Sequence, residues 1–112
     1  MVNICAFNNS DIRYFIVNLT VSITRTAGGN LYESFTLEGN QNNTLWELLV
    51  SSMGDSSGFV FTITSLGQIQ YTSTNITNYS NSILRYNVNE ITNTGTYSRD
   101  NLETQGTLIT NS

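Results

Sequence analysis

Histidine, lysine and proline are all absent from this 112-residue chain, and cysteine occurs once. Without an imidazole there is no Ser-His-Asp triad, no Cys-His pair and no histidine-ligated zinc or haem. Without a lysine ammonium there is no Schiff base, no phosphate-loop lysine and no lysine–asparagine isopeptide crosslink. The lone Cys5 cannot close an intrachain disulfide. It is expected to be a small buried hydrophobe, with a thiol bridge between two copies as the sharper alternative.

Charge is scarce as well. Asp, Glu, Lys and Arg together make up 11% of the chain, against about 25% in an average domain. The only basic residues are Arg13, Arg25, Arg85 and Arg99, the net charge is −4 and the pI is near 4.3. Four scattered arginines make no cationic stripe, so neither nucleic acid nor an anionic membrane surface is an expected partner. Long hydrophobic runs are missing too: Ile4–Phe7 and Tyr14–Val17 are the longest, far short of a bilayer span. The N-terminal segment has no basic region followed by a long apolar one and does not read as a secretory signal peptide.

Uncharged polarity fills the gap, for Asn, Thr and Ser supply 45 of the 112 residues. Against that background the dominant pattern is two-residue alternation, the period of a half-buried strand. Phe15, Val17, Leu19, Val21 and Ile23 fall on one face of Arg13–Thr24. Ala27-Gly28-Gly29-Asn30 reverses the chain, and Leu31, Phe35 and Leu37 line the returning strand with Glu33 interrupting them. Glu38 to Asn43 reads as a polar loop. In Thr44–Met53 a capping box and helically spaced leucines compete with a strand that puts Trp46, Leu48 and Val50 on one face. Neighbouring context favours the strand. Gly54 to Gly58 is a turn. A second hairpin then carries Phe59, Phe61 and Ile63 against Ile69, Tyr71 and Ser73 through Ser65–Gln68, and Leu84, Tyr86 and Val88 mark a later strand. The expected architecture is a single all-β domain over residues 1–112. It is an antiparallel β-sandwich of jelly-roll-like type, with seven or eight short strands and at most one short helix.

Candidate chemistry is thin. The carboxylates Asp11, Glu33, Glu38, Glu47, Asp55, Glu90, Asp100 and Glu103 contain no pair that spacing singles out for glycoside hydrolysis, and turn or edge positions account for them. Asp55-Ser56-Ser57 and Asp100–Glu103 are too sparse for a calcium loop. No enzyme activity, metal or cofactor is expected. Five Asn-X-Ser/Thr triplets begin at Asn8, Asn18, Asn42, Asn75 and Asn78. A composition this rich in Asn, Ser and Thr generates several by chance.

Two functional expectations remain. A sandwich has edge strands that monomers normally blunt with Lys, Pro or inward charge, and this chain has neither Lys nor Pro. Val2, Ile4 and Ala6 are candidate assembly contacts, in a segment 1–11 that reads either as an ordinary first strand paired within its own domain or as a strand-exchange arm. Tyr97, Leu108 and Ile109, in or beside the polar tail 98–112, are others. The first expectation is therefore a non-enzymatic structural subunit, its partners being copies of itself or other structural subunits, located in a virion or an extracellular assembly. The alternative is a carbohydrate-binding module in which Trp46, Tyr71, Tyr79 and Tyr86 form an aromatic platform for a glycan.

Overall fold

The alternation of Arg13–Thr24 is realised as one long strand, and the rest of the fold is built around it. The computed structural model describes residues 2–7, 12–42, 45–92, 95–98 and 102–105. In chain order the strands are β1 (Val2–Ala6), β2 (Ile12–Arg25), β3 (Leu31–Asn42), β4 (Leu45–Gly54), β5 (Phe59–Ile63), β6 (Gln68–Ser73), β7 (Tyr79–Thr92), β8 (Thr96–Ser98) and β9 (Leu102–Gln105). They form two antiparallel sheets, with orders β1-β6-β5 and β4-β3-β2-β7; β8 and β9 both pair with the free side of β7. The expected β-sandwich is thus formed. Its connectivity is a meander (β2-β3-β4) and a hairpin (β5-β6), with the chain changing sheets after β1, β4 and β6.

Three strands of the larger sheet are not short: β2 and β7 have 14 residues each and β3 has 12. They give the molecule its elongated shape, 49 × 23 × 20 Å. Leu45–Met53 forms no helix but lies within β4, and Thr44 lies outside the described residues. In the in-register pairing with β3, Gln41 faces Trp46, Gly39 faces Leu48 and Leu37 faces Val50, so Trp46 and Leu48 pack against the core. A helix would have turned its leucines to one side and left the β3 edge unpaired.

The core lies between the sheets. Phe15, Val17, Leu19, Val21 and Ile23 of β2, Phe35 and Leu37 of β3, and Leu84, Tyr86 and Val88 of β7 face Phe59, Phe61, Ile69 and Tyr71 of the smaller sheet, all buried. Phe35 meets Phe61 edge-on at 4.8 Å between ring centroids, and Phe59 stacks on Tyr71 at 5.0 Å. These are favoured aromatic arrangements.

Expectation and structure part at the segment read as a polar loop. Glu38–Asn42 continues β3, and the reason is visible at Gly39. Phe15 lies directly opposite Gly39 in the β2–β3 ladder, and its ring covers the glycine so closely that an added Cβ would sit 2.1 Å from Cε2 and Cζ. The ring supplies the apolar cover that the glycine lacks, and Phe7 stacks on the same ring at 3.7 Å and 1°. Gln41, next on that face, is buried.

The first reversal follows expectation: Gly28 and Gly29 have φ of 90° and 82°, a region open to glycine at little cost. The Arg25 guanidinium donates to the Gly28 and Gly29 carbonyls, and the Arg25 amide donates to Asn30 Oδ1 at 3.2 Å.

Candidate functional site

Edges distinguish this sandwich, and they are not alike. The β7 side of the larger sheet is covered by β8 and β9. In the smaller sheet β1 pairs with β6 of its own chain, with a register shift between Asn3 and Ala6. Gln68 Nε2 donates to the Cys5 carbonyl at 2.9 Å and the Tyr86 hydroxyl to the Ile4 carbonyl at 3.5 Å. An irregular, side-chain-tethered strand is a poor template for a neighbour. The other edge of that sheet, β5, has only five residues.

The remaining edge is β4. It runs ten residues, pairs with β3 alone among the described residues and carries one charged side chain, Glu47. Alternation divides it into two rows. Trp46, Leu48, Val50 and Ser52 face the core side. Leu45, Glu47, Leu49, Ser51 and Met53 face outward, where Leu45, Leu49 and Met53 are 68%, 61% and 76% exposed. Val50 is also exposed. Isolated surface leucines need no explanation, whereas an apolar row along an edge strand marks a contact surface.

The outer face beside this edge is uncharged for most of its length. Asn18 and Asn87 face each other across β2 and β7, with Asn18 Nδ2 donating to Asn87 Oδ1 at 3.3 Å. Two shallow grooves of about 420 and 430 Å³ open on it: one between Thr20, Ser22, Tyr32, Ser34 and Met53, the other between Tyr14, Glu38, Asn40, Glu47 and Leu49. In the second, the Tyr14 hydroxyl donates to Glu38 Oε2 at 2.8 Å. That bond to a carboxylate, then burial and the nearby negative charge, raise the phenol above its ordinary 10.0.

The residues expected to form a sugar platform do not share a surface. Tyr71 and Tyr86 are core side chains, buried between the sheets. Trp46 is half-buried and tilted against Phe15 at 5.5 Å, and Tyr79 is half-buried with its hydroxyl 3.2 Å from Ser82 Oγ. Alternation placed Tyr71 and Tyr86 on the core-facing rows, and that signal argues against a platform.

Of the expected assembly contacts, Ile4 is half-buried against the core and Ala6 is exposed. Val2 and Tyr97 are placed as backbone in β1 and β8, and their side chains lie outside the described part. Leu108 and Ile109 lie outside the described residues, as do most of the tail 98–112 and residues 8–11 of the arm. The residues that the structure adds are Leu45, Leu49 and Met53. They stood in the sequence as the outer row of a strand, masked by the competing helical spacing.

Among the acids, Glu90 and Glu33 depart from their expected solvated roles, while Glu47 and Asp55 stay exposed at an edge and a turn. Glu90 is buried on the core-facing side of β7. Glu33, which interrupts the apolar row of β3, accepts hydrogen bonds at Oε1 from the amide and hydroxyl of buried Ser57, at 2.8 and 2.6 Å. It thereby ties the β4–β5 turn to β3. Asp55 Oδ2 accepts from the Tyr32 amide at 3.0 Å. Cys5, expected buried, is half-buried. Among the described residues no cluster of three metal-ligating side chains forms, and no helix is long and apolar enough to cross a membrane.

Fold and edge together define a two-sheet antiparallel β-sandwich with one long strand edge that no other described strand covers. Searches of protein-family models, curated proteins and solved structures find no match to this chain.

Proposed function

We propose that the chain is a non-enzymatic structural subunit that acts by assembling with copies of itself, as a virion component (capsid decoration, minor capsid, tail or fibre protein) or as a subunit of an extracellular filament. The observation that carries this reading is the β4 edge, ten residues long, paired on its outer side by no described strand and with Leu45, Leu49 and Met53 exposed. Its backbone N–H and C=O groups and its apolar row are what strand addition uses. The low charge of the surface supports the reading, since repulsion between copies is weak.

The test is mass as a function of concentration by light scattering after size exclusion, followed by electron microscopy of the concentrated protein. The expected result is defined oligomers, shells or filaments at micromolar concentration and above. A monomer at every concentration up to millimolar overturns the reading.

The carbohydrate-binding alternative keeps one supporting observation, the two grooves with hydroxyl, amide and carboxylate groups along the outer face. A glycan array on monomeric protein tests it. A sugar-dependent signal lost in Tyr14→Phe and Tyr32→Ala favours this alternative, and a blank array removes it.

A further inference from the structure

We infer that β4 pairs antiparallel with β4 of a second copy, about a two-fold axis at Leu49. This inference rests on the assembly reading and specifies its contact.

The argument is one of register. A two-fold axis normal to the sheet is the symmetry that joins two identical edges antiparallel, and it keeps the outer row of each copy on the same side. Opposed residues therefore come from the same row. With Leu49 opposite Leu49 of the second copy, Leu45 meets Met53, Leu48 meets Val50, Glu47 meets Ser51 and Trp46 meets Ser52. Every exposed apolar residue of β4 then faces an apolar partner, and the single carboxylate faces a hydroxyl.

The neighbouring registers do worse. An axis at Val50 sets Glu47 against Met53, Leu49 against Ser51 and Leu48 against Ser52. An axis at Leu48 sets Glu47 against Leu49 and Leu45 against Ser51, and it leaves Met53 without a partner. An axis at Glu47 brings two carboxylates together. Cross-strand pairs of like polarity stabilise a ladder and opposed like charges destabilise it, so the side-chain pattern selects one register.

The contact is adequate in size. Pairing along nine residues of each copy, Leu45 to Met53, places the contact at the small end of specific interfaces, near about 1,000 Å² in total. The affinity expected is accordingly modest, in the micromolar range. The product is a continuous sheet in which β4-β3-β2-β7 of each copy runs into that of the other, with both small sheets on the same side.

The experiment is site-specific crosslinking of the full chain in a Cys5→Ser background. Opposed Cβ atoms in an antiparallel pair lie about 4.5–5.5 Å apart, within reach of a disulfide or a short bifunctional thiol reagent. Leu49→Cys is expected to give a crosslinked dimer in high yield. A mixture of Leu45→Cys and Met53→Cys chains is expected to link as the mixed pair. Ser51→Cys, four residues out of register with its own copy and so about 13 Å away, is expected not to link.

Leu49→Lys, at an exposed position and so compatible with the fold, is expected to weaken dimerisation at least tenfold. Linking through Ser51→Cys as efficient as through Leu49→Cys overturns the register. Oligomers that survive Leu49→Lys and give no Leu49→Cys product overturn β4 pairing while leaving assembly through another surface intact. A wild-type chain that stays monomeric overturns both.

Discussion

Gly39→Ala is the sharpest probe of how this sandwich is packed, because two physical effects predict opposite signs. Gly39 lies inside β3 and is not among the positive-φ residues, so alanine fits its backbone. From the backbone alone, replacing glycine within a strand stabilises by about 0.5–1 kcal/mol. The packing opposes this. The new Cβ would lie 2.1 Å from Cε2 and Cζ of Phe15, where carbon atoms prefer about 3.5–4.0 Å. The ring therefore has to retreat by about 1.5 Å. Its surroundings resist, since it is stacked on Phe7 at 3.7 Å and has Trp46 at 5.5 Å. Overpacking of this kind costs about 1–3 kcal/mol. The net expectation is a loss of about 1–2 kcal/mol, read as a fall in Tm of about 4–8 °C for a domain of this size. Urea and thermal denaturation followed by circular dichroism measure it, and the double variant Phe15→Leu/Gly39→Ala supplies the control. Removing the ring removes the collision, so the two substitutions should couple favourably by at least about 1 kcal/mol. A Gly39→Ala protein as stable as the wild type, or strictly additive effects in the double variant, would refute the packing argument.

Other sites give simpler expectations. Glu33→Ala leaves the Ser57 amide and hydroxyl without the carboxylate that now accepts from both, at a cost of about 1–3 kcal/mol in urea denaturation; Glu33→Gln, which keeps an acceptor oxygen, should lose less. Buried Gln41 has an Oε1 with no hydrogen-bond partner among the described residues, so Gln41→Met should be neutral or raise stability by about 1 kcal/mol in the same assay. Leu84→Ala, at a fully buried position, should cost about 2–5 kcal/mol, whereas Leu66→Ala at 77% exposure should stay within about 0.5 kcal/mol of wild type. The Tyr14 phenol is raised in the folded state, so the folded chain holds that proton more tightly than the unfolded one. The stabilisation from its bond to Glu38 is complete below the ordinary value of 10.0 and is lost as pH rises through the folded value. Thermal melts across that alkaline range should show a small decline in wild type that Tyr14→Phe lacks, and parallel profiles for the two proteins would contradict it.

How much of this was legible in the chain depends on whether a neighbour in sequence or a neighbour in space sets a residue's role. Alternation alone marked the buried rows of β2, β5, β6 and β7, since a period of two leaves a half-buried strand only one consistent face. The glycine pair at 28 and 29 marked its turn by conformational freedom that other residues lack. The polar stretch Glu38–Asn42 misled, because the partner that makes it a strand is Phe15, which lies 24 residues before Gly39. Alternation puts Tyr71 and Tyr86 on the core-facing rows, so the sugar platform that their polar tips suggest is denied by the row they occupy.

The sequence by itself determined the class of secondary structure, the faces of most strands, and the exclusion of imidazole and lysine chemistry, because these depend on composition and on the two-residue period. Which edge stays open was decided only by the tertiary structure. Helix and strand readings of Thr44–Met53 both satisfied the local pattern, and pairing with β3 chose between them. Sheet order then put β8 and β9 over β7, tethered β1 to β6 and left no other described strand across the outer edge of β4. Exposure of Leu45, Leu49 and Met53 follows from that order, a long-range property of the whole chain that no window of residues encodes.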